Sequence, residues 1–100
     1  MIRGTTPKHI FNLPFEASLV KEARISYAQE YETVLTKTEA DCVFEGNTIT
    51  VALTQEDTLL FKKRRKVEIQ LRVLTTNNEV MATVPYKVEL HDCLTEEVLQ

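Results

Sequence analysis

Two-residue alternation of apolar and polar side chains runs through most of this chain. Val67, Ile69, Leu71 and Val73 share one parity, while Glu68, Gln70 and Arg72 share the other. Successive side chains of a strand point to opposite faces, so this run predicts a half-buried strand. Thr76-Asn77-Asn78-Glu79 follows and predicts a turn, because asparagine tolerates positive φ at little cost. Beyond it Val80, Ala82, Val84, Tyr86, Val88 and Leu90 occupy one face, opposite Thr83, Lys87 and Glu89. The two runs are expected to pair as an antiparallel hairpin.

The same pattern recurs upstream. Glu45-Gly46-Asn47 is a turn signal between a run holding Cys42 and Phe44 and one holding Ile49, Val51 and Leu53. The outer face of the second run is Thr48, Thr50 and Thr54, whose branched Cβ atoms suit a pleated surface. Ala23, Ile25 and Tyr27 alternate with Arg24 and Ser26, and a run from Thr33 to Lys37 follows Gln29 and Glu30. His9, Phe11 and Leu13 make a further strand, ended by Pro14, which cannot donate to a ladder.

One helical turn interrupts the strands. Thr54 followed three residues later by Asp57 is a capping-box arrangement, and Leu59, Leu60 and Phe61 then return to the core. Leu94 to Gln100 reads as a helical turn or a tail, with residues 91–100 a flexible or partner-docking segment of a single domain spanning 1–100. Seven short strands at this spacing favour two stacked sheets, and crossover helices for a parallel sheet have no room. The expected fold is all-β: an immunoglobulin-like two-sheet antiparallel sandwich of about seven strands with one short helical turn.

Composition narrows the function classes. One hundred residues suit one domain, and 43% apolar content is enough for a packed core. The net charge of −3 favours neither a nucleic-acid footprint nor an anionic membrane surface. The segment Met1 to Pro14 has no leader-like apolar stretch, and no run approaches the length of a membrane span. Cys42 and Cys93 are therefore expected as reduced thiols, with an interstrand bridge left open.

Candidate chemistry is sparse. The adjacent acids Glu56 with Asp57 and Glu96 with Glu97 could serve acid–base catalysis, but helix-start electrostatics and solvent exposure account for them. His91, Asp92 and Cys93 are metal-ligand types, joined by His9 only if the first and last strands are neighbours. Contiguous residues on an extended strand face opposite sides, which splits that cluster, and no metal or cofactor is expected. The conspicuous charge run is Lys62-Lys63-Arg64-Arg65-Lys66. It reads first as a solvated turn after the helix, and otherwise as a grip for phosphate oxygens or for an acidic protein patch. Most aromatic residues fall on inward positions, whereas Tyr31, between Glu30 and Glu32, is expected on the surface as a contact residue.

The stretch from Gly46 to Leu59, Gly-Asn-Thr-Ile-Thr-Val-Ala-Leu-Thr-Gln-Glu-Asp-Thr-Leu, resembles a recurring phage segment of strand, Leu-Thr-x-acid turn and hairpin. With the opening Met1 to Pro7 and the Phe11-x-Leu13-Pro14 strand, it is similar to the immunoglobulin-like N-terminal domain of baseplate upper proteins of Gram-positive phages. It is similar also to small prophage structural proteins. The hairpin tip departs from the usual Asn-Gly, being Asn77-Asn78. The resemblance implies a virion or virion-assembly role in a homo-oligomeric complex, and it carries no functional residues across.

The expectation is thus a non-enzymatic phage structural or assembly protein of the tail, baseplate or head–tail region. It would bind other virion proteins, act in the bacterial host cytoplasm during assembly and then reside in the virion, with no membrane partner. The alternative is a nucleic-acid-binding accessory protein using residues 62–66; a carbohydrate- or small-molecule-binding module would have only Tyr31 to offer.

Overall fold

A computed structural model describes residues 1–100. Eight strands alternate with tight turns: β1 (Lys8–Asn12), β2 (Val20–Gln29), β3 (Glu32–Thr38), β4 (Cys42–Glu45), β5 (Thr48–Ala52), β6 (Val67–Thr75), β7 (Val80–Ala82) and β8 (Tyr86–Val88). The one α-helical turn, α1 (Gln55–Leu59), lies between β5 and β6. Two antiparallel sheets result, with strand orders β1-β5-β4 and β3-β2-β6-β7, and β8 pairs with β6 beyond β7.

That order is immunoglobulin-like. An immunoglobulin sandwich stacks sheet A-B-E-D on C-F-G, with C′ added beside C in variable-type domains. Here β1-β5-β4 takes the B-E-D places, and β3-β2-β6 with β7 and β8 takes C′-C-F-G. No strand occupies the A position beside β1. The first residues cross instead to the other sheet, where Ile2 forms a parallel bridge with His91. Arg3 N–H donates to His91 O at 2.9 Å and His91 N–H donates to Met1 O at 2.8 Å.

The core sits between the sheets and is built from the alternation already described. Phe11 of β1, Ile49 and Val51 of β5, Ala23, Ile25 and Tyr27 of β2, and Val67, Ile69, Leu71 and Val73 of β6 are all buried. Tyr27 is fully enclosed, packs on Phe61 at a ring-centroid distance of 6.0 Å, and places its hydroxyl 2.8 Å from His9 Nδ1. A buried phenol needs such a partner, because an unpaired polar group in an apolar core is costly. Burial pushes the Tyr27 hydroxyl above its ordinary range. Burial and the nearby N-terminal ammonium push His9 below its own. Both cysteines are free; burial and the neighbouring Asp41 and Glu39 carboxylates raise the Cys42 thiol to about 11.

The turn chemistry follows the residues. Gly46 adopts φ 56 in the β4–β5 hairpin. Asn78 adopts φ 63 as the last residue of the three-residue loop between Thr75 and Glu79. The α1 capping box forms as its spacing predicts, with Asp57 N–H donating to Thr54 Oγ1 at 3.0 Å and Thr54 N–H to Asp57 Oδ2 at 2.9 Å.

Two expectations fail. Val80, Ala82 and Val84 do not face inward with Tyr86, Val88 and Leu90. Arg72 pairs with Ala82, but Val67 pairs with Val88, so the ladder slips by one residue between them. The extra residue is Val84, which is 84% exposed beside Pro85. A one-residue bulge exchanges the faces of everything beyond it. Before it, Met81 pairs with inward-facing Val73; after it, Tyr86 faces in and meets Phe11 at 6.4 Å. Leu60 likewise stays exposed while Phe61 alone of that apolar trio is fully buried.

Candidate functional site

The two features singled out in the sequence as contact residues meet at one end of the sandwich. Gln29 and Glu32 close the β2–β3 hairpin, leaving Glu30 and Tyr31 as a two-residue loop with φ of 49 and 67. Positive φ at both central positions is the type I′ turn that suits the twist of a hairpin. Such turns normally use Asn or Gly, since a Cβ in the left-handed region crowds its own backbone. A tyrosine there accepts that backbone crowding with no packing return: Tyr31 is 99% exposed.

The basic run forms the adjoining turn between α1 and β6. Gln29, although polar, is buried and clamps that turn from below. Its Nε2 donates to Lys62 O at 3.0 Å and to Arg65 O at 3.3 Å, and its Oε1 accepts from Lys62 N–H at 2.7 Å. Above it Arg65 Nε lies 2.6 Å from Glu30 Oε1. A shallow cleft of about 270 Å³ runs between the two turns, lined by Glu30, Tyr31, Arg64, Arg65, Lys66 and Lys87, with Glu68 completing it.

Four of the five cations lie beside carboxylates. Lys63 lies 3.3 Å from Glu96, Arg64 3.5 Å from Asp92, Arg65 2.6 Å from Glu30, and Lys66 3.6 Å from Glu89. Only Lys62 of the five has no acidic partner within ion-pair distance. These pairs are exposed and screened, so each contributes little to stability. Together they leave the turn a mosaic of both signs rather than a cationic patch.

Of the remaining candidates Glu56 and Glu97 are exposed and make no side-chain contact, and the others are held in structural contacts. Asp57 caps α1 and pairs with Lys37 at 2.8 Å, and Glu96 accepts from Arg3. His91 forms the bridge to Ile2, Asp92 faces Arg64, and the Cys93 side chain lies beside Gly4. His9 is engaged with Tyr27 on the other sheet, so these ligand types do not converge, and no group of three or more His, Cys, Asp or Glu side chains is placed to hold a metal.

Arg3 is a residue the alternation does not single out. Its buried guanidinium donates to Phe61 O at 2.9 Å and to Leu59 O at 3.0 Å, satisfying carbonyls at the end of α1, and it also meets Glu96. The segment after β8 is drawn onto the body by that contact. It is held again at its end by Gln55, whose Nε2 donates to Leu99 O at 2.8 Å and whose Oε1 accepts from Leu99 N–H at 2.7 Å.

No protein-family model matches the chain. No curated protein matches it. Among solved structures, the V domain of amphioxus IgVJ-C2 is similar over 90% of this chain and 96% of that one, at 11% identity and a TM-score of 0.36. The immunoglobulin-like assignment rests on the strand order itself.

Proposed function

We propose that the chain is a non-enzymatic binding module of a bacteriophage or prophage particle, in its tail, baseplate or head–tail region, working through protein–protein contacts. The observation that carries the binding reading is Tyr31: a fully exposed aromatic on a left-handed turn whose neighbours Gln29 and Glu30 are bonded to the basic turn. Rigid aromatic anchors with few rotatable bonds are the residues that dominate interface energetics. Backbone strain retained at a surface tip is a reason to look there for function. The phage assignment is supported by the resemblance of residues 46–59 and of the opening segment. The partners are other virion proteins, met in the host cytoplasm during assembly and retained in the virion.

The test is biolayer interferometry of the purified chain against purified tail, baseplate and head–tail proteins of the same particle. One of them is expected to bind, and Tyr31→Ala should weaken that binding about 30-fold, the loss of roughly 2 kcal/mol typical of an aromatic hot spot. Failure to bind any of them overturns the proposal, and binding that ignores Tyr31→Ala removes the turn from it.

A further inference from the structure

β1 pairs with β5 and with nothing on its other side. Two bonds at the ends of that ladder, Leu13 N–H to Asn47 O at 2.7 Å and Leu53 N–H to Pro7 O at 2.9 Å, set its parity. In an antiparallel pair, residues bonded to the neighbour alternate with residues whose backbone groups face away. Residues 7 and 13 are turned toward β5, so Lys8, Ile10 and Asn12 present their N–H and C=O groups to the open edge. Exposed rows of this kind are templates for strand addition, and proteins usually blunt them.

The other edges of this sandwich are blunted. β3 carries a bulge opposite Tyr27 and Ala28, and its Lys37 is tied by Asp57. The β7–β8 edge is broken by the Val84 bulge and by Pro85, which has no N–H to offer. β4 has four residues, and centred pairing with a second β4 would set Asp41 against Glu45 of the other copy. The β1 edge has neither bulge nor internal proline, and its outer face shows Ile10, 61% exposed.

We infer that β1 is a self-association edge whose occupant is β1 of a second copy of this chain, paired antiparallel about a two-fold axis at Ile10. Only residues of even number can form hydrogen-bonded pairs there. The register centred on Ile10 engages all three of them: Ile10 meets Ile10 of the second copy, and Lys8 meets its Asn12. No like charges are opposed, whereas centring on Lys8 would oppose two ammonium groups. Each of these even-numbered pairs exchanges two bonds, giving about six backbone hydrogen bonds. The row Ile10–Thr50–Val43, aligned across β1, β5 and β4, continues into the same row of the second copy to form one six-stranded sheet. This interface does not use the Tyr31 surface, so the two readings fail separately.

Sedimentation velocity of the whole chain over a range of concentrations tests it. The expected result is a species of twice 11.5 kDa. Ile10→Lys, which sets two cations at the axis, and Ile10→Pro, which deletes an outward N–H, should both return it to monomer. Val43→Lys, on the same face but two strands away, should leave the dimer in place. Amide hydrogen exchange of the unmodified chain gives a readout without substitution: the Lys8, Ile10 and Asn12 amides should be protected at high concentration and exchange fast on dilution. A monomer at every concentration, a dimer that survives both Ile10 variants, or even-numbered amides that exchange fast throughout would each overturn the inference.

Discussion

Lys37 Nζ lies 2.8 Å from Asp57 Oδ2, tying the β3 edge to the first turn of α1, with both side chains mostly withdrawn from solvent. Burial raises the Asp57 carboxyl, but the bonds from Lys37 and from the Thr54 N–H outweigh it and hold the group below its ordinary value of 3.8. A carboxyl whose folded pKa lies below its unfolded one stabilises the fold above the unfolded value, and that stability is lost as pH falls through the folded value. Asp57→Asn should cost about 2 kcal/mol at pH 7, by weakening the cap and leaving Lys37 unpaired. Urea denaturation at pH 7 and pH 2 checks it: the gap between the two proteins should shrink at the acid end. A gap of equal size at both would show that the ion pair is not its source.

The bulge at Val84 makes a contrast within one stretch of alternating sequence. Val84→Lys should change stability by no more than about 0.5 kcal/mol, as for other exposed positions. Leu90→Ala, six residues on and buried, should cost about 2 kcal/mol or more. Thermal melts of the two variants decide between this structure and an unbroken strand, for which both positions would be equally sensitive.

The acidic partners of the basic turn predict how it meets nucleic acid. With Glu96, Asp92, Glu30 and Glu89 beside four of its five cations, the turn has few counterions to release from a phosphate backbone. Fluorescence anisotropy with single- and double-stranded DNA should show no binding tighter than about 0.1 mM at ~0.15 M salt, the weak end of non-specific affinity. Micromolar binding with a steep salt dependence, lost on replacing Lys62 to Lys66 with alanine, would favour nucleic acid as the partner.

The residues that could be read directly are those whose meaning lies within a few positions of themselves. Val67, Ile69, Leu71 and Val73 are buried because a strand has period two. Thr54 and Asp57 cap α1 because a helical turn brings N-cap and N3 together. Tyr31 between two glutamates has no apolar face to join and lies in solvent. The even-numbered residues from Val80 to Val84 carry the same alternation as those after them, yet the bulge faces them outward. Nothing within the run marks the slip except Pro85, which suits an edge.

Arg3 and Gln29 show the other limit. Each is a polar residue buried among carbonyls that lie far along the chain, at Leu59 and Phe61 and at Lys62 and Arg65. The acids facing the basic turn come from the β2–β3 loop and from the segment around β8, so the turn's near-neutral character is a property of the assembled surface.

Local alternation and local capping thus determined the strands, the helical turn and the two-sheet class, because they depend on contacts two to four residues apart. The tertiary structure alone decided the vacant A position beside β1, the reversal of faces at Val84 and the union of Tyr31 with the basic turn. Each of these depends on which distant backbone groups become neighbours, and that is settled only when two sheets close on a common core.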